Sequence, residues 1–119
     1  MQPNYADAYN NRGTIYGRLG QYQLAIEDFN KAITLNPDHA LAYYNKGFAY
    51  AIIGQDQRAI EYYSKAITHK PDYSNAYNNR AISYFKQGNK ELGCYDAQKA
   101  CALGNCISLE WAKNEGFCH

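Results

Sequence analysis

Apolar and small residues recur along the chain at helical spacing, in blocks separated by breaks that carry glycine or proline. Tyr9, Gly13 and Tyr16 share one helix face in the first block, and Leu24, Ala25, Phe29, Ala32 and Ile33 share one in the second. The pattern then restarts at an offset of 34 residues. Tyr9 recurs as Tyr43 and Tyr77, Gly13 as Gly47 and Ala81, and Tyr16 as Tyr50 and Tyr84. Ala25 recurs as Ala59, Ala32 as Ala66 and Ala100, and Pro37 as Pro71. A fixed period of this length marks stacked supersecondary units, each burying its apolar face against the next.

Each copy predicts a pair of helices: 5–19 and 22–35 around Gly20, 39–53 and 56–69 around Gly54, and 73–87 and 90–103 around Gly88. Pro37 and Pro71 cannot continue a helix, and Asn4, Asp38 and Asp72 are suited to cap the helix that follows. Gly13 and Gly47 fall inside helices, where glycine costs about 0.5–1 kcal/mol relative to alanine. A close helix contact, with Phe29 or Tyr63 pressed into the space of the missing side chain, is the expected compensation. Tyrosines on the repeating pattern, among the 13 in the chain, read as packing within and between repeats.

These residues carry a resemblance. The spacing of Tyr9, Gly13, Tyr16, Ala25, Phe29, Ala32 and Pro37, repeated in Tyr43, Gly47, Tyr50, Ala59, Tyr63, Ala66 and Pro71, is similar to the tetratricopeptide repeat. The resemblance implies an all-α, right-handed superhelical solenoid of antiparallel helix pairs, whose first helices line a concave groove that holds a peptide or a partner protein. The repeats are expected at 6–39, 40–73 and 74–106 of a single domain. Gln2, Pro3, Asn4 and Tyr5 parallel the ends of the other copies, so the chain reads as a piece of a longer array with Met1 an added start. The third copy departs from the pattern, with Gly93 in the slot of Ala25 and Ala59, Ala97 in that of the aromatics, and Asn105 in that of the proline. It is read as the end of the array, covered by a capping helix over 107–117 with Ile107, Trp111, Leu109 and Ala112 as its buried side.

Composition narrows the function. Twelve basic against eleven acidic residues leave a net charge of +1, so no global field favours nucleic acid or an anionic membrane. No window approaches 18 uncharged apolar residues. His39, His69 and His119 are scattered, the first read as packing or surface like Tyr5 and Tyr73 in the same slot, and no phosphate-binding loop is present. Neither catalysis nor a cofactor is expected.

Cys94, Cys101, Cys106 and Cys118 all lie near the C-terminus. Disulfides, packed free thiols and a metal site are the three readings, and the wide spacing argues against metal. If the last helix folds back, bridges from Cys94 to Cys118 and from Cys101 to Cys106 become geometrically possible. Bridges would point to an oxidising compartment such as a periplasm or the cell exterior. The compartment is otherwise open.

For binding, Asn11, Asn45 and Asn79 recur once per repeat on the first helix. A carboxamide offers both a donor and an acceptor, so such a column can hold an extended main chain without reading its sequence. It resembles the asparagine ladder in the tetratricopeptide array of O-linked N-acetylglucosamine transferase. The other reading is three polar residues on a solvated face. Tyr44, Phe48, Ile52 and Ile82 would add apolar contact, with Asn10, Asn78, Arg18 and Lys86 as polar neighbours. Chaperone-binding members of the family clamp a peptide carboxylate with cations, but those places read Asn10, Thr14, Asn45, Asn75 and Asn79 here, so no clamp is expected. Arg12, Lys46 and Arg80 are expected to lay their stems over neighbouring helices and reach water. The competing class is a scaffold segment, or one that self-associates through Tyr5, Tyr9 and their neighbours.

Overall fold

The computed structural model describes residues 4–119, so the reading of Gln2 and Pro3 as the tail of an earlier repeat lies outside the described residues. Seven helices follow one another among them: α1 (Tyr5–Arg18), α2 (Tyr22–Leu35), α3 (Ala40–Ile52), α4 (Asp56–His69), α5 (Ser74–Lys86), α6 (Lys90–Ala102) and α7 (Ile107–Asn114). The six repeat helices end within one residue of expectation, and α7 stops short of 117. The main contacts pair α1 with α2, α3 with α4 and α5 with α6. Inside each pair the tight return needs a left-handed residue. Gly20, Gly54 and Gly88 supply it at φ 77, 85 and 81°, and the next N–H donates back to the carbonyl of Tyr16, Tyr50 or Tyr84 at 2.9 Å.

Between repeats the caps differ from expectation. Asn4 caps α1, its Oδ1 accepting from the Asp7 N–H at 3.3 Å. α3 is capped instead by His39, whose Nδ1 accepts from the Ala42 N–H at 3.2 Å, and α5 follows Tyr73 with no side-chain cap. Both helices begin one slot later in the repeat than α1, which leaves Asp38 and Asp72 a residue too early to cap.

The helix crossings set small residues against large ones. A methyl group at Gly13 would lie 2.6 Å from Phe29 Cε1, and one at Gly47 2.9 Å from Tyr63 Cδ1, with both rings buried. The third pair exchanges the roles of its helices. Ala81 and Ala97 fill the former glycine and aromatic slots, and Phe85 of α5 packs on Gly93 of α6, where a methyl group would meet Phe85 Cε1 at 2.5 Å. The departure of the third copy is therefore the same large-on-small contact with the large side chain moved to the first helix.

Arg12 is exposed as expected, whereas Lys46 is buried and Arg80 largely covered, and both arginines are paired. Arg12 donates from Nε and Nη2 to Asp28 at 2.7 and 2.8 Å, and Arg80 donates likewise to Asp96 at 2.6 and 2.8 Å. The two carboxylates are buried on the second helices, so each requires this paired donor. The hydrogen bond and charge of Asp28 hold the Arg12 pKa above its ordinary value. Burial opposes the charge of Arg80, and the hydrogen bond and field of Asp96 outweigh it. In the middle repeat Tyr62 takes the aspartate slot, and buried Lys46 places Nζ 3.9 Å from its ring centroid.

The cap also differs from expectation. Ile107 and Trp111 are 69% and 45% exposed, whereas Ser108, Leu109 and Ala112 face inward. The Ser108 N–H donates to Asn78 Oδ1 at 2.9 Å, one of the contacts that hold the short helix in this orientation. Leu109 and Ala112 join Ala81, Phe85, Ala97 and Cys118 in one apolar cluster. Cys94 is bonded to Cys118 and Cys101 to Cys106, with Cα atoms 5.7 and 4.0 Å apart, so a bridge stands on either side of α7. No helix of the described residues is long and apolar enough to cross a membrane.

Tyr44 stacks on Tyr73 at a centroid distance of 5.0 Å and tilts against Tyr63 at 5.7 Å, tying the second repeat to the third. Burial raises the pKa of all three, that of Tyr73 to about 12.

Four outcomes follow. Gly47→Ala lowers stability in urea unfolding by about 1–3 kcal/mol despite its better helix propensity, because the ring of Tyr63 has nowhere to move. Gly17→Ala, with nothing near the added methyl, raises it by up to about 1 kcal/mol. The tyrosine hydroxyls are raised acids, so their stabilisation is complete below the unfolded value near 10 and is lost as pH climbs through the folded values. Thermal melts should therefore fall between about pH 10 and 12, and Tyr73→Phe should flatten that fall. Alkylation of the unfolded, unreduced chain should modify no cysteine, and prior reduction should lower the melting temperature; labelling at four sites without reduction would refute both bridges.

Candidate functional site

The direction of curvature follows from which helices meet across repeats. α1 touches α3 and α3 touches α5, whereas among the described residues no contact joins α2 to α4 or α4 to α6. The first helices are drawn together and the second helices splay apart, so the first helices form the concave side. Three columns 34 residues apart run along it: Asn11, Asn45, Asn79; Thr14, Phe48, Ile82; and Arg18, Ile52, Lys86. The spacing of three and four residues within a helix places members of neighbouring columns side by side.

Three hollows open between these columns. The first, of about 310 Å³, is lined by Thr14, Arg18, Asn45, Phe48 and Ile52 with Tyr22 and Phe29 from α2. The second, of about 140 Å³, shares Phe48 and Ile52 with it and adds Tyr63, Asn79, Ile82 and Lys86. The third, of about 400 Å³, shares Ile82 and Lys86 and adds Phe85, Ile107, Ser108 and Trp111. Shared walls make the three one continuous, mainly apolar trough. Phe48 is 46% and Ile52 47% exposed in it. Among the described residues, its charged lining is Arg18 and Lys86.

The asparagines divide into two groups. Asn10 and Asn78, expected as polar neighbours of the groove, are buried and join repeats instead. Asn45 Nδ2 donates to Asn10 Oδ1 at 3.0 Å, and Asn78 takes the backbone of α7. A residue one position from the inward column points about 100° away, into the seam with the next repeat. Within the ladder column, Asn11 is exposed, Asn45 is held by Asn10, and Asn79 Nδ2 donates to the Tyr44 hydroxyl at 2.7 Å. Asn79 Oδ1 also accepts from Asn78 Nδ2 at 3.2 Å. Tyr44 thus contributes its ring to the first hollow and its hydroxyl to the seam. These bonds fix the carboxamides in place and leave each with unused capacity toward the trough.

Sequence reasoning missed Thr14, which the column of Phe48 and Ile82 would have identified. It also missed Tyr22, Tyr63 and Phe85, which reach the trough from the walls. Trp111 and Ile107 were assigned to the buried side and instead face the opening.

Comparison with known proteins agrees with this geometry. The tetratricopeptide repeat model matches residues 6–39 and 40–73, and a second tetratricopeptide repeat model matches 62–102. Among solved structures the chain is similar to MamA, at 31% identity and a TM-score of 0.80, over 85% of this chain and 60% of that one. It is similar to the second TPR of Spaghetti (RPAP3) bound to an HSP90 peptide, at 25% identity and a TM-score of 0.81, over 83% of this chain and 92% of that one. It shares its fold with YrrB, at 23% identity and a TM-score of 0.82, over 95% of this chain and 58% of that one. The match thus spans less than two thirds of the length of MamA and of YrrB. No curated protein sequence matches. With the helix pairs, the 34-residue period and the matches running from residue 6 to residue 102, the chain belongs to the tetratricopeptide repeat family.

Proposed function

We propose that the chain is a non-catalytic interaction module that takes an extended segment of a partner protein along the concave face of its first helices. The continuous trough carries this reading. Phe48, Ile52 and Ile82 present apolar surface to hollows that no side chain of the described residues fills, and such concave apolar surface with a few polar groups is what ligands occupy. Asn11, Asn45 and Asn79 would orient the main chain of that segment, and Arg18 and Lys86 would meet its charges. Nucleic acid, a membrane surface and a cofactor are not proposed as its occupants. The related second TPR of Spaghetti, at 25% identity, is bound to the HSP90 peptide SRMEEVD. The same grip is not proposed here. Asn10 and Asn75 stand at two of the clamp places, the first buried and the second bonded to Asn105 at 2.9 Å, and neither carries charge.

Hydrogen bonds from the ladder contribute about 0.5–1.5 kcal/mol each, against about 4–15 kcal/mol for association, so apolar contact must supply the affinity. The test is selection from a displayed library of random peptides. The chain should enrich a defined sequence, and Phe48→Ser should weaken its binding at least about ten-fold with little change in thermal unfolding. Tyr95→Ser, on the exposed side of α6, should leave binding unchanged. An unenriched library together with a mass that rises with concentration would favour a self-associating scaffold segment instead.

A further inference from the structure

Within the cap, α7 has an unusual distribution of side chains for a helix that only covers a core. It buries Ala112 and Leu109, and turns Ile107 and Trp111, two of its three large apolar side chains, toward the third hollow. Trp111 is nevertheless held. Its ring stands edge-on to Phe117 at 5.4 Å and tilts against Phe85 at 5.6 Å. The two disulfides on either side of α7 fix the helix that carries it. A rigid, half-exposed aromatic beside an open apolar hollow is the arrangement of a binding anchor.

Charge adds the second observation. Lys86 lines both the second and third hollows, is exposed, and has no ion-pair partner among the described residues. No aspartate or glutamate lines any of the three hollows. A segment lying here would bring its own countercharge, and a basic one would be repelled.

We propose that α7 forms a specificity subsite at the end of the trough, which seats a large apolar side chain of the partner segment between Ile82, Ile107 and Trp111 and pairs Lys86 with an acidic side chain beside it. The inference rests on the trough reading and adds the class of sequence recognised. Apolar contact holds the segment, and Lys86 sets which neighbours of the anchor are accepted. The subsite exists only where a cap follows the last repeat, so it has no counterpart in the first two hollows.

The test uses the full chain and a positional library of C-terminally amidated peptides, in which every carboxylate belongs to a side chain. The unmodified chain should select an aromatic or branched aliphatic residue with aspartate or glutamate close to it. Lys86→Glu should keep the apolar preference and exchange the acidic one for lysine or arginine. Ile107→Ser and Trp111→Ser should each weaken binding of the selected peptide about ten-fold, with circular dichroism confirming that the helices remain. Since Ile107 is mostly exposed, its variant stays informative if Trp111→Ser unfolds. Selection without an acidic preference, or identical selections by the unmodified chain, Lys86→Glu and Ile107→Ser, would overturn the subsite. If Phe48→Ser still abolishes capture in that case, the trough reading stands alone; if the unmodified chain captures no peptide, both fall.

Discussion

The contact of a large ring with a missing side chain, made once in every helix pair, is the constraint on which the rest of the structure depends. Gly13 under Phe29, Gly47 under Tyr63 and Gly93 under Phe85 let two helices approach more closely than any side chain at those positions would permit. Close approach fixes the crossing within a repeat, and stacking the same unit three times propagates it. Because the first helices then touch across repeats while the second helices do not, the stack curves and exposes the first helices on its inner side. The trough is thus a by-product of packing: the core is satisfied between helices, and Phe48 and Ile52 remain as apolar surface facing an opening.

Polar residues tie helices together within and between repeats in ways that the period makes partly legible. Arg12 with Asp28 and Arg80 with Asp96 are the same pair 68 residues apart, and the period aligned the arginines without identifying their partners. Sixteen residues separate each arginine from its aspartate, a distance that crosses the turn and has no signature in a helical pattern. The aspartate slot also reads tyrosine in the middle repeat, so the column did not announce itself as acidic. A similar limit applies to the asparagines. Periodicity located the column 11–45–79 and left Asn10, Tyr44 and Asn78, one position before it, on the groove side, but a rotation of about 100° separates inward from seamward, and only packing decides which is which.

The helix pairs, their turns and the end of the array could be read because each signal was repeated. The rotation of the cap could not be, since the cap occurs once. Hydrophobicity placed Ile107 and Trp111 inside with Leu109 and Ala112, whereas α7 is turned so that Ser108, Leu109 and Ala112 face the core and the Ser108 N–H donates to Asn78. That hydrogen bond and the two flanking disulfides constrain the helix together, and hydrophobicity alone does not register them. The exchange of large and small between α5 and α6 follows the same logic. The sequence shows the loss of the usual glycine and aromatic, but Gly93 acquires meaning only when Phe85 is seen against it.

Binding at this surface is governed by how much of it is already ordered. Asn45 and Asn79 are held by Asn10 and Tyr44 across the seams, so a ligand that reaches them does not immobilise free side chains. Trp111 is held by two rings and its helix by two bridges. Each neutral hydrogen bond to a ligand adds only about 0.5–1.5 kcal/mol, because water satisfies the same groups in the free state. Apolar surface has no such competitor, and a large side chain that becomes fully buried gains about 1.5–3 kcal/mol. The balance therefore falls to the hollows rather than the ladder. On the proposed reading the asparagines would direct the path of the main chain, and Phe48, Ile52, Ile82 and Trp111 would set how long it stays.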